Sequence, residues 1–380
     1  MIKLDERVEC IFSHQRDLES LHHFNDFPAK MGVTDQAFNQ DIMVDLDLLI
    51  SRSSGVVQIN KLLPLDFLYS DSHGAGTVGK TWAAHHEKFA HFIQKAQPRN
   101  VLEIGGGSGR LAKQYLDLQK INWHILEPSS SGGIEKEGLT FSKEYFSEEI
   151  CRNLKIASNY DCVVHSHVLE HLYEPDVFLG LISSNLSDGS KMIISIPNMT
   201  EMLNRLDGNL INFEHTYFLD YDLVVALLNK NNFFISRIED FGPGHSLFIE
   251  AILIKSQKNT FNYSAYEINK SNFNKYFQDI KEDVERLNSV IAKTDNVFIF
   301  GAHVFSQLLF TFGLRPDRIK SVLDNDLNKI NHRLYGTSLF VESPDAVSKF
   351  AIPNVIVRMG AYSSEIKEQL LSYNSGVRFI

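Results

Sequence analysis

The chain is poor in the features that mark several classes of protein. Its 380 residues include only three cysteines, Cys10, Cys151 and Cys162, too few and too widely spaced for a disulfide framework. No apolar run approaches the length of a membrane-spanning helix, and the first residues lack the apolar core of a signal peptide. Lysine and arginine number 37 against 47 acidic residues, a formal net charge of −10 that argues against a general nucleic-acid binder. We therefore expect a cytoplasmic protein with reduced thiols and with neither a membrane nor a nucleic acid as partner.

The rest of the composition is that of an ordinary globular protein, 43% hydrophobic and 22% charged. The length suggests two or three domains. We place a small N-terminal domain over residues 1–78, a second domain over 79–256 and a third over 275–380. The first reads as irregular, with a glycine-rich loop over Ser70–Lys80. A polar, asparagine-rich stretch, Ser256–Asn274, is predicted to link the last two domains.

From residue 101 onward, strand and helix patterns alternate. This order predicts right-handed βαβ units and a parallel sheet, hence an α/β fold. The predicted helices include Thr81–Gln97, Leu111–Leu118 and Asp222–Asn231. The predicted strands are Val101–Ile104, Trp123–Leu126, Cys162–His165, Met192–Ile196, Phe233–Glu239 and Ser246–Lys255, followed in the last domain by Val297–Phe300, Ile319–Leu323 and Val355–Val357.

The most informative segment is Val101-Leu-Glu-Ile-Gly-Gly-Gly-Ser-Gly-Arg110. A short apolar run carrying Glu103 opens into Gly105, Gly106, Gly107 and Gly109, and a helix follows. Glycines at such a turn let the backbone approach a ligand without a Cβ in the way. Their G-x-G-x-G spacing differs from the G-x-G-x-x-G fingerprint of dinucleotide sites, which disfavours a nicotinamide-dependent oxidoreductase.

A second acid, Glu127, ends the next apolar run and suits a ribose diol, because a carboxylate accepts two hydrogen bonds. The loop and the two acids together resemble the S-adenosylmethionine site of class I methyltransferases. That resemblance implies a seven-stranded sheet with an antiparallel edge. It also implies that Ser166 and His167, at the end of the fourth strand, border the cofactor.

The segment His165-Ser-His-Val-Leu-Glu-His171 also carries the side chains of a possible metal cluster, three histidines and Glu170. The following run, Val168–Pro175, resembles the "leHl-x-x-P" segment of many small-molecule methyltransferases, a pattern that needs no metal. We therefore predict no metal ligands here. In Phe213-Glu-His-Thr-Tyr-Phe218, the pair Glu214 and His215 is a candidate general base, and a structural histidine or capping glutamate is the alternative.

Taken whole, the chain resembles the three-domain sugar C-methyltransferases of deoxysugar biosynthesis. Their domains are a small zinc-binding one, a central S-adenosylmethionine domain and a C-terminal Rossmann-like α/β domain. The matching segments outside the central domain are Cys10–Ser13, Phe27-Pro28, Ser51–Gln58, the "W-x-x-H" lead-in at Trp82 with His85 and His86, Phe300-Gly-Ala302 and Leu323-Asp-Asn-Asp326. Gly301 stands without the other glycines of a dinucleotide site, so we expect no second cofactor there.

Two departures from that family matter. Its four zinc-binding cysteines fall here on Cys10, Ser13, Ser51 and Ser54, and serine is a poor zinc ligand, so we predict no structural zinc. The tyrosine three positions before the catalytic histidine is replaced by Asn212. This weakens the case for enolate chemistry and leaves O- or N-methylation open.

The leading hypothesis is thus S-adenosylmethionine-dependent methylation of a small acceptor, a nucleotide-linked sugar or another precursor of a surface glycan. The alternative is a non-catalytic binding or scaffold protein that keeps the fold. The sequence leaves the acceptor, the methylated atom and the oligomeric state undetermined.

Overall fold

A computed structural model describes residues 2–69, 79–128, 134–242, 244–257 and 262–380. Apart from its last two residues, the glycine-rich loop predicted over Ser70–Lys80 lies outside these ranges. The described residues form three main β-sheets, one from each third of the chain.

The N-terminal segment is rich in strands, so its prediction as irregular is wrong. Its elements are β1 (Asp5–Glu6), β2 (Leu18–Pro28), β3 (Val33–Thr34), β4 (Met43–Ser51), β5 (Val57–Ile59), β6 (Lys61–Leu62), α1 (Leu65–Leu68) and a 3-10 helix at Phe38–Gln40. β2, β4 and β5 form an antiparallel sheet. Two irregularities in the pairing of β2 with β4 interrupt the alternation that would mark β2 as a strand. In β4 the alternation is present, with Leu46, Leu48 and Ile50 buried.

The central segment forms a seven-stranded sheet, which confirms the predicted fold class. Its strand order is β12-β13-β11-β10-β7-β8-β9, parallel except where β13 pairs with β11 and β12. The elements are α2 (Lys80–Lys95), β7 (Asn100–Ile104), α3 (Arg110–Leu118), β8 (Asn122–Leu126), β9 (Leu139–Ser142), α4 (Glu148–Asn153), α5 (Ile156–Asn159), β10 (Cys162–Ser166), α6 (Pro175–Asn185), β11 (Lys191–Pro197), α7 (Met199–Asn204), α8 (Tyr221–Lys230), β12 (Phe233–Phe241) and β13 (Ser246–Leu253), with 3-10 helices at Leu169–His171 and Gly208–Leu210.

The third segment forms a five-stranded parallel sheet of order β17-β15-β14-β18-β19, in agreement with the predicted second α/β unit. Its elements are α9 (Tyr266–Ile291), β14 (Val297–Phe300), α10 (Val304–Thr311), β15 (Ser321–Leu323), β16 (Arg333–Leu334), β17 (Val341–Glu342), β18 (Asn354–Ile356), α11 (Ser363–Tyr373) and β19 (Arg378–Phe379), with 3-10 helices at Pro316–Arg318, Leu327–Lys329, Pro344–Lys349 and Gly360–Tyr362. In the parts of the chain that the structure describes, we find no helix with the length and apolarity needed to span a bilayer.

The helix α9 begins at Tyr266, inside the stretch predicted as a linker, so that prediction is wrong for its second half. Asparagines dominate the composition there, yet Phe273, Tyr276 and Phe277 recur at helical spacing and are buried. Asn269 is buried too, where its side-chain amide donates to the carbonyl of Gly55 at 2.9 Å. The exact bounds of the three domains stay a prediction.

The first and third segments are joined directly. β3 pairs with β16. The guanidinium of Arg333 also forms a bidentate ion pair with the carboxylate of Asp41, with N–O distances of 2.7 and 2.6 Å. Gly336 donates its backbone N–H to the same carboxylate at 2.7 Å. The side chains of Asp41 and Arg333 are only 2% and 7% exposed. This buried pair holds the N-terminal segment against the C-terminal sheet.

Candidate active site

The glycine loop follows β7 and requires its glycines for two different reasons. Gly105, Gly107 and Gly109 have φ angles of 75°, 52° and 82°, in the left-handed region that other residues rarely adopt. Gly106 needs space instead, because a Cβ there would lie 2.8 Å from the side chains of Glu103 and Ile125. The loop is therefore a close-fitting backbone cradle at the carboxyl end of β7, where open α/β sheets bind ligands.

The structure brings Glu127 to this loop, as predicted. β7 and β8 are neighbouring parallel strands, so their carboxyl ends lie side by side. The carboxylate of Glu127 accepts a hydrogen bond from the backbone N–H of Gly107 at 3.0 Å. An acidic side chain thus lies beside the glycine cradle. The carboxylate can hold the ribose of a nucleoside cofactor, and the backbone of the loop can contact the rest of it.

Glu103 lies beneath the cradle, and its side chain is only 2% exposed. It accepts a hydrogen bond from the indole N–H of Trp123 at 2.7 Å. Burial raises the pKa of Glu103 to about 7; the charge of Glu127 adds to this and the Trp123 hydrogen bond opposes it. Glu103 therefore packs against the buried side of the glycine loop, next to Gly106.

We expect Glu103 to contribute stability to the ligand-free protein that is lost as pH rises from 5 to 8. The folded state holds this proton more tightly than the unfolded chain, so the stabilisation is complete below pH 4.5 and is lost as pH rises through about 7. Glu103→Gln should remove this contribution, so that the difference in stability between variant and wild type changes by on the order of 2–3 kcal/mol across the range, measured by urea unfolding at several pH values. The exposed Glu137→Gln serves as control, and equal slopes in wild type and Glu103→Gln would refute the assignment.

Ser166 is the last residue of β10, which lies next to β7 in the sheet, and His167 follows it directly. His167 has a φ of 53°, an uncommon conformation for a residue other than glycine. Its backbone N–H donates to the carbonyl of Ser195 at 2.8 Å, and its Nε2 lies 3.1 Å from the hydroxyl of Ser246. Contacts to β11 and β13 thus hold His167 in place at the carboxyl edge of the sheet.

A shell of aromatic and histidine side chains surrounds His167. Trp82 of α2 packs its ring 5.0 Å from the His167 ring and 5.2 Å from that of His245. Nε2 of His245 lies 2.8 Å from the hydroxyl of Tyr362, which belongs to the third segment. Trp82 was identified from the sequence, whereas His245 and Tyr362 were missed because no motif surrounds either of them.

The candidate base lies in a second group of side chains, Glu170, His171, Glu214 and His215. The rings of His171 and His215 are 5.3 Å apart, and Nδ1 of His171 lies 3.9 Å from Oε2 of Glu214. Burial lowers the pKa of His215 to about 4 and raises that of Glu214 to about 7. Burial by itself would raise the pKa of Glu170. The neighbouring His167, His171 and His215 outweigh burial and lower this pKa to about 2. Uncharged imidazoles beside carboxylates are able to accept protons.

The segment that carries Glu214 and His215 is shaped by Asn212. Its side-chain oxygen accepts the backbone N–H groups of both residues, each at 2.8 Å, in the manner of an Asx turn. Asn212 is the position at which the sugar C-methyltransferases carry a tyrosine. In this chain the residue therefore has a definite structural function in holding the candidate base.

The N-terminal segment also holds this loop. The N–H of Ile59 donates to the carbonyl of Thr216 at 3.1 Å, and the N–H of Phe218 donates to the carbonyl of Val57 at 2.8 Å. The buried guanidinium of Arg7 donates to the carbonyls of Thr216 and of Tyr173, at 2.9 and 2.8 Å. β5 and Arg7 thus fix both segments of the second group.

The positions that match zinc ligands in the sugar C-methyltransferases also meet. Sγ of Cys10 lies 3.3 Å from the hydroxyl of Ser54, and the backbone N–H of Ser13 donates to the same sulfur at 3.5 Å. The hydroxyl of Ser51 accepts from the N–H of Ser54 at 3.2 Å and donates to Asp17 at 2.9 Å. Hydrogen bonds connect the four positions, and the absence of a structural zinc stays a prediction.

Comparison with known proteins supports the class that this site indicates. Residues 78–238 match a family model described as a methyltransferase domain, somewhat less than half of the chain. A comparison with curated proteins finds no match.

Solved structures with similar folds include three methyltransferases. The 1,6-didemethyltoxoflavin-N1-methyltransferase of Burkholderia thailandensis, solved with its acceptor and S-adenosylhomocysteine, is 14% identical, with 54% of this chain and 98% of that one covered and a TM-score of 0.38. The magnesium protoporphyrin IX methyltransferase of Synechocystis PCC 6803 is 17% identical, with 47% and 90% covered and a TM-score of 0.34. An S-adenosylmethionine-dependent methyltransferase of Mesorhizobium loti is 13% identical, with 47% and 98% covered and a TM-score of 0.35. Such low TM-scores support no inference about the acceptor of this chain.

The family match and the glycine cradle with Glu127 define the class: the chain contains a class I methyltransferase domain. The protein is an enzyme that uses S-adenosylmethionine, and both predictions are confirmed. The narrower resemblance to the sugar C-methyltransferases, and the role of each site residue, stay predictions.

Proposed function

We propose that the enzyme methylates a small acceptor, a nucleotide-linked sugar or another precursor of a surface glycan. The observation that carries the proposal is the placement of two groups of side chains at the carboxyl edge of one sheet. The glycine cradle with Glu127 follows β7 and β8, and the group around His215 meets the segment that follows β10. A cofactor site and a candidate base that share one edge are what methyl transfer requires.

In this proposal the cradle of Gly105, Gly106, Gly107 and Gly109, supported by Glu103, holds the cofactor. The carboxylate of Glu127 takes the ribose hydroxyls, while Ser166 and His167 line the other side. When bound, S-adenosylmethionine supplies an electrophilic methyl group on a positively charged sulfur. His215, assisted by Glu214, takes the proton of the acceptor and so frees the nucleophile.

The acceptor class rests on the polar character of the site and on the resemblance of the whole chain to sugar C-methyltransferases. The histidines and carboxylates at this edge favour a hydroxylated acceptor over an apolar one. Tyr362 reaches the shell from the third segment through His245, which suggests that this segment helps to enclose the acceptor.

Calorimetric titration of the purified protein tests the proposal most directly. We expect S-adenosylmethionine and S-adenosylhomocysteine to bind with micromolar affinity and NADH not to bind. Sugar nucleotides are then screened by formation of S-adenosylhomocysteine. Binding without turnover on any acceptor would favour the alternative, a non-catalytic binding protein, and failure to bind either compound would overturn the cofactor site.

Glu127→Ala should weaken the binding of S-adenosylmethionine. Losing charge-assisted hydrogen bonds costs about 2–3 kcal/mol, or roughly 30- to 150-fold in Kd. Calorimetry on both proteins measures the ratio. The matched control is Glu137→Ala, because Glu137 lies in the same part of the chain and its side chain is 84% exposed. Unchanged affinity in a folded Glu127→Ala protein would remove Glu127 from the site.

A further inference from the structure

We propose that Glu170, His171 and His215 bind a divalent transition-metal cation. Within the described ranges, these three residues are the one group of at least three histidine, cysteine or acidic side chains whose ligand atoms all lie within 4.8 Å of one another. Glu170 and His171 are adjacent in a 3-10 helix, and His215 comes from a separate loop. The group therefore exists only in the folded protein.

The strongest indication of a cation site is the environment of Glu170. Its side chain is 0% exposed, and neither carboxylate oxygen accepts a hydrogen bond. Nδ1 of His167 lies 3.3 Å from Oε1 and Nε2 of His171 lies 3.8 Å from the same oxygen, both longer than a charge-assisted hydrogen bond. Buried charged and polar groups are costly unless they are paired or coordinate a metal. A cation held by Glu170, His171 and His215 would neutralise this buried carboxylate.

The donor set favours particular metals. Two imidazoles and one carboxylate suit zinc, manganese, iron(II) or cobalt(II), whereas magnesium and calcium prefer oxygen donors. Three protein ligands also leave coordination positions open, as in catalytic metal sites. Those positions are available to oxygen atoms of an acceptor.

Neighbouring groups orient the ligands in the way that metal sites require. Nδ1 of His215 lies 3.4 Å from the carbonyl of Leu210, which leaves Nε2 for the metal. The backbone N–H of Thr216 donates to the carbonyl of Glu170 at 3.1 Å, and the hydroxyl of Thr216 donates to the carbonyl of Leu172 at 2.7 Å. These bonds keep the loop with His215 against the 3-10 helix.

The metal site departs from the metal-free prediction made from the sequence. That prediction weighed a cluster that included His165. The structure places His165 in the interior, with both ring nitrogens buried and its ring against Phe178. The third ligand is instead His215, which lies far along the chain from Glu170.

The role of the metal in catalysis rests on the proposed function. An acceptor hydroxyl bound to the metal gives its proton to the carboxylate of Glu214, and its oxygen forms a bond to the methyl carbon. The carbon–sulfur bond breaks, and its electron pair stays on sulfur as S-adenosylhomocysteine. No group changes oxidation state. With the metal bound, His215 is a ligand and does not accept the proton, so the role of base falls to Glu214 in place of His215.

The test is a titration of chelator-treated protein with Co²⁺, followed by visible absorption, and with Zn²⁺, followed by calorimetry. We expect one cation per chain, and a loss of affinity of roughly 100-fold or more in Glu170→Gln, a variant of nearly identical shape. Cys10→Ser, which removes the thiol of the N-terminal serine group, and Glu127→Ala should both bind the cation normally.

Absence of binding to the wild type, or equal binding to Glu170→Gln, would overturn the metal site. Loss of binding in Cys10→Ser would also overturn it, because the cation would then belong to the N-terminal segment. If Glu170→Gln does not fold, His215→Gln takes its place. Because the titration uses no S-adenosylmethionine, its failure is distinguishable from failure of the proposed function.

Discussion

Replacing His215 by alanine should lower the rate of methyl transfer by about 10²- to 10⁴-fold, the usual contribution of a general base. The affinity for S-adenosylmethionine should stay unchanged, because His215 belongs to the second group of side chains and the cofactor cradle follows β7. The loop should keep its conformation, because Asn212 and β5 hold it through backbone hydrogen bonds that alanine keeps.

The measurement is the rate of S-adenosylhomocysteine formation with an acceptor found by screening, together with the calorimetric Kd. His91→Ala is the matched control, because His91 is an exposed residue of α2. A fully active His215→Ala enzyme would exclude the residue both as base and as metal ligand. Parallel loss of cofactor affinity and rate would instead indicate that the whole site is disturbed.

Replacing Asp41 by alanine should destabilise the protein by about 3–5 kcal/mol, because it leaves a buried arginine without its partner. The guanidinium of Arg333 contacts both oxygens of Asp41, and the N–H of Gly336 depends on the same carboxylate. The pair also connects β16 to the N-terminal segment. We therefore expect the contact between these two segments to loosen first.

Equilibrium unfolding in urea measures the loss, provided that the transition stays two-state. The matched control is Asp317→Ala, which breaks an ion pair with Arg315 whose side chains are 61% and 54% exposed. Exposed pairs contribute at most about 1 kcal/mol, so this variant should remain close to wild type. Similar losses of stability in the two variants would mean that the buried Asp41 pair stabilises the protein no more than an exposed pair does.

Much of the fold could be predicted because the central segment obeys simple patterns. β10 and β11 are buried on both faces, so they read as continuous apolar runs between loops. The glycine loop indicates its own geometry, since three of its residues take positive φ angles. Glu127 could be placed beside it because the carboxyl ends of adjacent parallel strands meet.

The errors arose where local pattern and tertiary environment disagree. β2 was not predicted as a strand because two irregularities in its pairing with β4 interrupt the alternation of buried and exposed residues. The start of α9 was missed because its many asparagines resemble a linker, and only packing shows that Phe273 and Tyr276 are core residues.

The α/β class could be predicted from the sequence, and so could the positions of the glycine cradle and the candidate base, because each depends on residues close together in the chain. The folded structure was needed to show that Glu170 and His171 meet His215 and that Tyr362 reaches His245 from the third segment. The difference lies in how far apart the interacting residues are along the chain. Turn geometry and strand burial leave a local mark on the sequence, whereas the meeting of distant side chains depends on how strands and loops pack.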